Sequence, residues 1–151
     1  MDKIESVVLE YVQGAISEFD AVSEIRNSTD KIKTKFTENE VVWLQYNVSF
    51  IPKILENKSC SHIFAHLHSA RYGYARQLMR VLQHREIIRH TPDNTRGVLR
   101  WLKILEKTGL ITGHREPYGN RVLYFANKKV FPNVTQMVFD LITKKYFSHS
   151  E

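Results

Sequence analysis

Cysteine is nearly absent from this chain of 151 residues. The single thiol, Cys60, has no internal partner, which excludes a disulfide framework and removes the usual argument for secretion. No apolar run approaches the roughly 20 residues needed to span a bilayer. The opening MDKIESVVLEYV carries acidic side chains through its apolar part, so it does not read as a signal peptide. Without an export signal, the N-x-S/T sequons at Asn27, Asn47, Asn57 and Asn133 are chance matches. There is no internal repeat and no low-complexity stretch. No P-loop, G-x-S-x-G or H-E-x-x-H motif occurs, and no carboxylate pair stands near the basic region. An enzyme is the class these absences disfavour most.

The apolar fraction of 42% is enough for a real core, so the chain reads as one domain with or without helical extensions. The net charge of +6 is segregated. Residues 1–70 hold 7 Lys/Arg against 10 Asp/Glu, whereas residues 71–129 hold 13 against 4. Residues 130–151 hold 2 of each. A basic field confined to one segment points to a polyanion as partner, although a charge run alone is more often a solvated face.

Residues 2–26 read as one long helix, with Ile4, Val8, Tyr11, Ala15, Phe19 and Val22 on one stripe and Gly14 tolerated inside it. A short extended linker follows at Lys31–Phe36. Thr37 with Glu40 is a capping box, with Phe36 and Val41 as its hydrophobic staple. The helix it starts buries Val41, Leu44, Val48 and Ile51, and Pro52 kinks or ends it. A third helix is expected over Ser61–Tyr72 and a fourth over Tyr74–Gln83, separated by Gly73. Pro132 opens a last amphipathic helix that runs to about Tyr146.

Between them lies REIIRHTPDNTRGVLRWLKILEKTGLITGHREPYGNRVLYFANKK. The spacing predicts a short helix over Arg85–His90, with Ile87 and Ile88 inward, and a turn at Thr91-Pro92-Asp93. Asn94 is the N-cap candidate of a longer helix over Thr95–Thr108, which buries Val98, Leu102 and Leu105. Gly109 stands at the C′ position, where a left-handed residue is needed. Two β-rich runs, Ile111–Glu116 and Arg121–Ala126, flank Pro117-Tyr-Gly-Asn120 as a hairpin.

This pattern resembles the winged helix-turn-helix of prokaryotic and archaeal transcription regulators. Ile87-Ile88, Val98 and Leu105-Glu-Lys-Thr-Gly-Leu-Ile111 occupy the matching positions. The resemblance covers about residues 74–127. It implies a mainly α, α+β fold in which a winged helix over 73–129 is flanked by an N-terminal helical extension, 1–72, and a C-terminal helix, 130–151. Thr95–Thr108 then becomes the recognition helix in the major groove of double-stranded DNA. Arg96, Arg100 and Lys103 share the side opposite the apolar set, with Lys107 beyond them. Arg can bond guanine bidentately or reach phosphate, while Lys contacts phosphate as a point charge. Asn94, Thr95 and Leu99 complete the contact face, the last two toward base edges or a thymine methyl. The wing tip carries Arg115, Tyr118, Asn120 and Arg121 toward the backbone or minor groove. Gly97 departs from the family pattern, which usually has a side chain there. Trp101 reads as packing against a neighbouring helix.

The expected function is sequence-specific transcriptional regulation in the cytoplasm, on the nucleoid. The apolar terminal helices either complete the monomer core or form a dimer interface, and a homodimer through them is preferred because a two-fold protein reads two half-sites. The alternatives are a winged helix that binds protein within an assembly, and a ligand- or metal-responsive sensor. Cys60, His62 and His66 are the weak metal candidates, His62 and His66 having i, i+4 spacing. Surface or capping histidines are the preferred reading, and no metal or cofactor is expected.

Overall fold

The computed structural model describes residues 2–28, 33–88 and 95–147. Among these residues are eight helices and one three-stranded antiparallel sheet, a mainly helical α+β architecture. α1 (Lys3–Val12) is capped by Asp2, whose carboxylate accepts from the N–H groups of Ile4 and Glu5. The same carboxylate accepts from the Thr34 hydroxyl and the Lys35 N–H, which ties the linker back to the first helix. Partial burial opposes the charged form of Asp2, but these hydrogen bonds outweigh it and hold the carboxyl below its usual range.

The long helix expected over 2–26 is two helices. Gly14 has φ +83°, and the Gly14 N–H to Tyr11 and Ala15 N–H to Glu10 bonds close α1 as a left-handed C-terminal cap. α2 (Glu18–Ser28) restarts where the Ser17 hydroxyl accepts from the Asp20 N–H. The restart resets the stripe: Ala21 and Ile25 are buried, and Phe19, expected inward, is 79% exposed.

α3 (Glu38–Asn47) opens on the Thr37–Glu40 capping box, with Phe36 and Val41 buried beside it. α4 (Phe50–Glu56) carries Pro52 in its first turn, where a missing N–H breaks no bond. α5 (Lys58–Ser69) begins earlier than the expected Ser61, because the Asn57 side chain accepts from the Cys60 N–H and caps it. β1 (Gly73–Tyr74), which has no counterpart in the sequence reading, leads into α6 (Ala75–His84).

The short helix expected over Arg85–His90 is not helical through Ile88; residues 89–94, including the expected turn and Asn94, lie outside the described residues. Glu86 takes φ +58°, and the Glu86 N–H to Gln83 and Ile87 N–H to Leu82 bonds form a Schellman cap on α6. That cap folds Ile87 and Ile88 onto the core as a closing turn instead of a new helix.

α7 (Thr95–Thr108) ends at Gly109, φ +92°, and β2 (Ile111–Arg115) and β3 (Val122–Ala126) follow. The sheet order is β1-β3-β2, with Gly73 opposite Tyr124 and Gly113 opposite the same residue from the other side. α8 (Pro132–Tyr146) closes the described chain.

One cluster of buried apolar side chains runs from Ile4 to Ile142. It contains Ile4, Val7 and Val8 of α1 and Val134, Met137, Val138 and Ile142 of α8. The apolar stripes of the terminal helices, which motivated the expected interface between copies, therefore complete this chain's own core. Glu40 is fully buried among them. Its carboxylate accepts from the Thr37 N–H at 3.0 Å, the Asn133 N–H at 2.7 Å, the Val134 N–H at 2.6 Å and the Asn133 amide at 3.0 Å. One side chain thus caps α3 and α8 together. Trp43 joins α3 to the end of α7 by donating to the Thr108 carbonyl at 2.7 Å. Among the described residues, no helix is long and apolar enough to cross a membrane.

Candidate nucleic-acid interface

α7 presents four sides, because successive residues turn by about 100°. Val98, Leu102 and Leu105 are buried. Arg96, Arg100, Lys103 and Lys107 are exposed on the opposite side. Among the described residues none of these four has an ion-pair partner, and only Arg100 has an aromatic contact, its guanidinium 5.6 Å from the centre of the Trp101 ring. The one acidic residue of α7, Glu106, lies off this face: its Oε2 would be 2.8 Å from a Cβ at Gly113, so the carboxylate rests over β2. Gly113 is the residue that permits this approach. Gly97, on the exposed side of the helix, has open space where a Cβ would stand.

One flank of α7 faces α6 and the hairpin across a groove of about 640 Å³. Thr95 and Leu99 line it from α7, Asn120 and Arg121 from the hairpin, and Arg76 and Arg80 from α6. Thr95 is steered there by its hydroxyl, 3.1 Å from the Met79 sulfur. The structure thus gathers four of the expected contact residues around one groove. Arg96, Arg100, Lys103 and Lys107 lie outside it on the open face of α7. Arg115 and Tyr118 project from the hairpin, Tyr118 being 87% exposed. Asn120 sits at φ +57° in the hairpin turn, a conformation asparagine adopts more readily than most residues.

Arg121 has a second occupation. Its guanidinium lies 4.4 Å from the centre of the Tyr74 ring, and its Nε is 3.3 Å from the Glu116 carboxylate. The Tyr74 hydroxyl donates to the same carboxylate at 3.0 Å. This Arg121–Tyr74–Glu116 cluster braces the hairpin against β1 and α6. Arg115 has no such partner among the described residues.

Arg76 and Arg80 were missed in the sequence reading. Their signal was present: two arginines at i, i+4 in ARQLMRVLQH stand on the exposed side of a helix that buries Leu78 and Leu82.

His62 and His68 are not the surface or capping residues expected but part of the packing between α5 and α8, while His66 is half-buried. His62 is 5% exposed and His68 is 6% exposed. The His62 ring lies 4.8 Å from Phe147 and 5.6 Å from Tyr146, and His68 stacks on Phe139 at 4.5 Å. The Arg85 guanidinium can only donate, so His62 Nδ1 accepts from it at 3.0 Å and the ring proton belongs on Nε2. Burial, reinforced by Arg85 and Lys58, pushes His62 down to about 4. Burial likewise lowers His68 to about 4, aided by Lys128. His66 is lowered by burial and Arg85. Cys60 is buried within α5, and burial pushes its thiol up to about 12. Among the described residues no three His, Cys, Asp or Glu side chains gather as a metal site.

Comparison of the chain with family models, with curated proteins and with solved structures returned no match.

Proposed function

We propose that residues 73–129 form a winged helix that binds double-stranded DNA sequence-specifically, and that the chain regulates transcription as a cytoplasmic, nucleoid-associated homodimer. The observation that carries this reading is the open face of α7. Four cations stand there without ion-pair partners among the described residues, and the helix's one carboxylate is folded aside over Gly113. Cations held apart from internal partners retain their full attraction for phosphate. Supporting it are the element sequence α5-β1-α6-α7-β2-β3 and the groove that Arg76, Arg80 and Arg121 line beside that face. In this reading α7 enters the major groove, where Arg100 contacts a base edge and Lys103 a phosphate. The hairpin follows the adjacent backbone through Arg115, Tyr118 and Asn120, with Arg121 bracing it.

Selection of bound sequences from random DNA tests both parts. A two-fold symmetric site is the expected result, and an asymmetric site would remove the homodimer. On that site Arg100→Ala should weaken binding by about tenfold or more and relax one base position. Lys103→Ala should weaken all sequences alike and reduce the salt slope by about one. Unchanged affinity in both variants sinks the reading.

A second reading has its own observation. Phe19 on α2 and Val42 and Tyr46 on α3 are exposed apolar side chains away from the basic region, with Tyr46 78% exposed. They suit a protein partner, and a winged helix can serve as an interaction module. Absence of DNA binding at moderate salt would favour that role.

A further inference from the structure

The other flank of α7 borders a second cavity, of about 480 Å³. Phe50 and Ile54 of α4 face Trp101 and Ile104 of α7 across it, and Cys60 lies at its floor. Phe50, Trp101 and Ile104 are each only half-buried, so part of each apolar side chain is presented to this space and not to the core. The volume falls in the range of small-molecule sites, about 300 to 1,000 Å³. Lys53 and Glu56 stand at its rim, both exposed and neither with an ion-pair partner among the described residues. These two charges offset each other at the rim, and inside it the lining carries no charged group with which a bound ion could pair. The lining offers instead an indole, a phenyl ring and two branched aliphatic chains, which favour a flat apolar occupant.

We propose that this cavity binds an uncharged, planar, apolar small molecule against Trp101, and that its occupancy acts on the basic face of α7 through Arg100. Trp101 belongs to both places: its ring lines the cavity, and the Arg100 guanidinium rests 5.6 Å from its centre. A molecule packed on that ring changes the surface on which Arg100 sits. The binding stands by itself, while the coupling rests on the reading of α7 as the DNA-contacting helix.

The probe is N-phenyl-naphthylamine, a neutral planar compound whose emission rises in apolar surroundings. The full chain should bind it saturably at one site. Ile104→Glu puts a charge into the cavity from a half-buried position and should weaken binding by about tenfold or more. Tyr46→Glu, on the exposed apolar residues of α3, should leave binding unchanged. Circular dichroism of each variant separates a blocked site from an unfolded chain. Lack of saturable binding by the folded wild type overturns the site, as does loss in Tyr46→Glu with retention in folded Ile104→Glu. On selected DNA, saturating probe should change affinity by about fivefold or more. Probe binding without that change overturns the coupling. Probe binding by a protein that binds no DNA removes the functional reading and the coupling with it, and leaves the ligand site standing.

Discussion

A carboxylate buried without water is tolerable only when donors surround it. Glu40 meets that condition with three backbone N–H groups and one amide, drawn from the starts of two helices far apart in sequence. Glu40→Ala would leave the Val134 N–H unpaired in the core and the Thr37 and Asn133 N–H groups unpaired at its edge. We expect a loss of about 3 kcal/mol or more, read from urea unfolding, and a change under about 1 kcal/mol would show that these bonds do not hold the fold together. Half of this arrangement was legible. The Thr37-x-x-Glu40 spacing announces the cap on α3 because a capping box is local. The cap on α8 was not legible, because nothing in Asn133-Val134 refers to a residue more than ninety positions away. His62 misled for a similar reason. Its burial depends on Tyr146 and Phe147, which only the docking of α8 brings near.

Three helices end by the same device. α1, α6 and α7 each close on a left-handed residue, at Gly14, Glu86 and Gly109 respectively. Glycine adopts that backbone at little cost, whereas a side chain adds about 1 to 2 kcal/mol. Glu86 is the exception. Glu86→Gly should therefore stabilise the chain by up to about 1 kcal/mol, visible as a higher Tm, and a lower Tm would mean that the glutamate side chain contributes something the backbone account omits. Gly109 was legible because a periodic helix stops just before it. Gly14 was not, since the apolar spacing happens to continue across it and masks the break. Nothing marks Glu86, so the segment after α6 read as a helix. α7 was the most legible element: its apolar set at 98, 102 and 105 separates cleanly from its basic side. β1, two residues long, is too short to show any period.

Across the whole molecule the basic excess gathers on the segment from α6 to the hairpin, while the acidic N-terminal helices and α8 supply most of the support behind it. That division was readable from charge counts alone. The docking of α8 against α5 was not, and it links stability to pH. His62 and His68 titrate near 6.5 when exposed and near 4 when folded, so the fold prefers their neutral forms. Their contribution is fully present above pH 6.5 and is lost as pH falls toward 4. Thermal unfolding between pH 7 and 4 should show Tm falling through that window, and His68→Phe should flatten the slope; an unchanged slope in that variant would remove His68 from the account. The Glu40 clasp has a last consequence, for synthesis. A chain emerging N-terminus first presents Glu40 long before Asn133 and Val134 exist to receive it. Until they arrive, the Thr37 N–H is the one partner of that carboxylate within its own helix. A chain cut before residue 133 should therefore leave the N-terminal helices unsealed, and native-like protection of α3 from amide exchange in such a fragment would show that the clasp is not needed to close them.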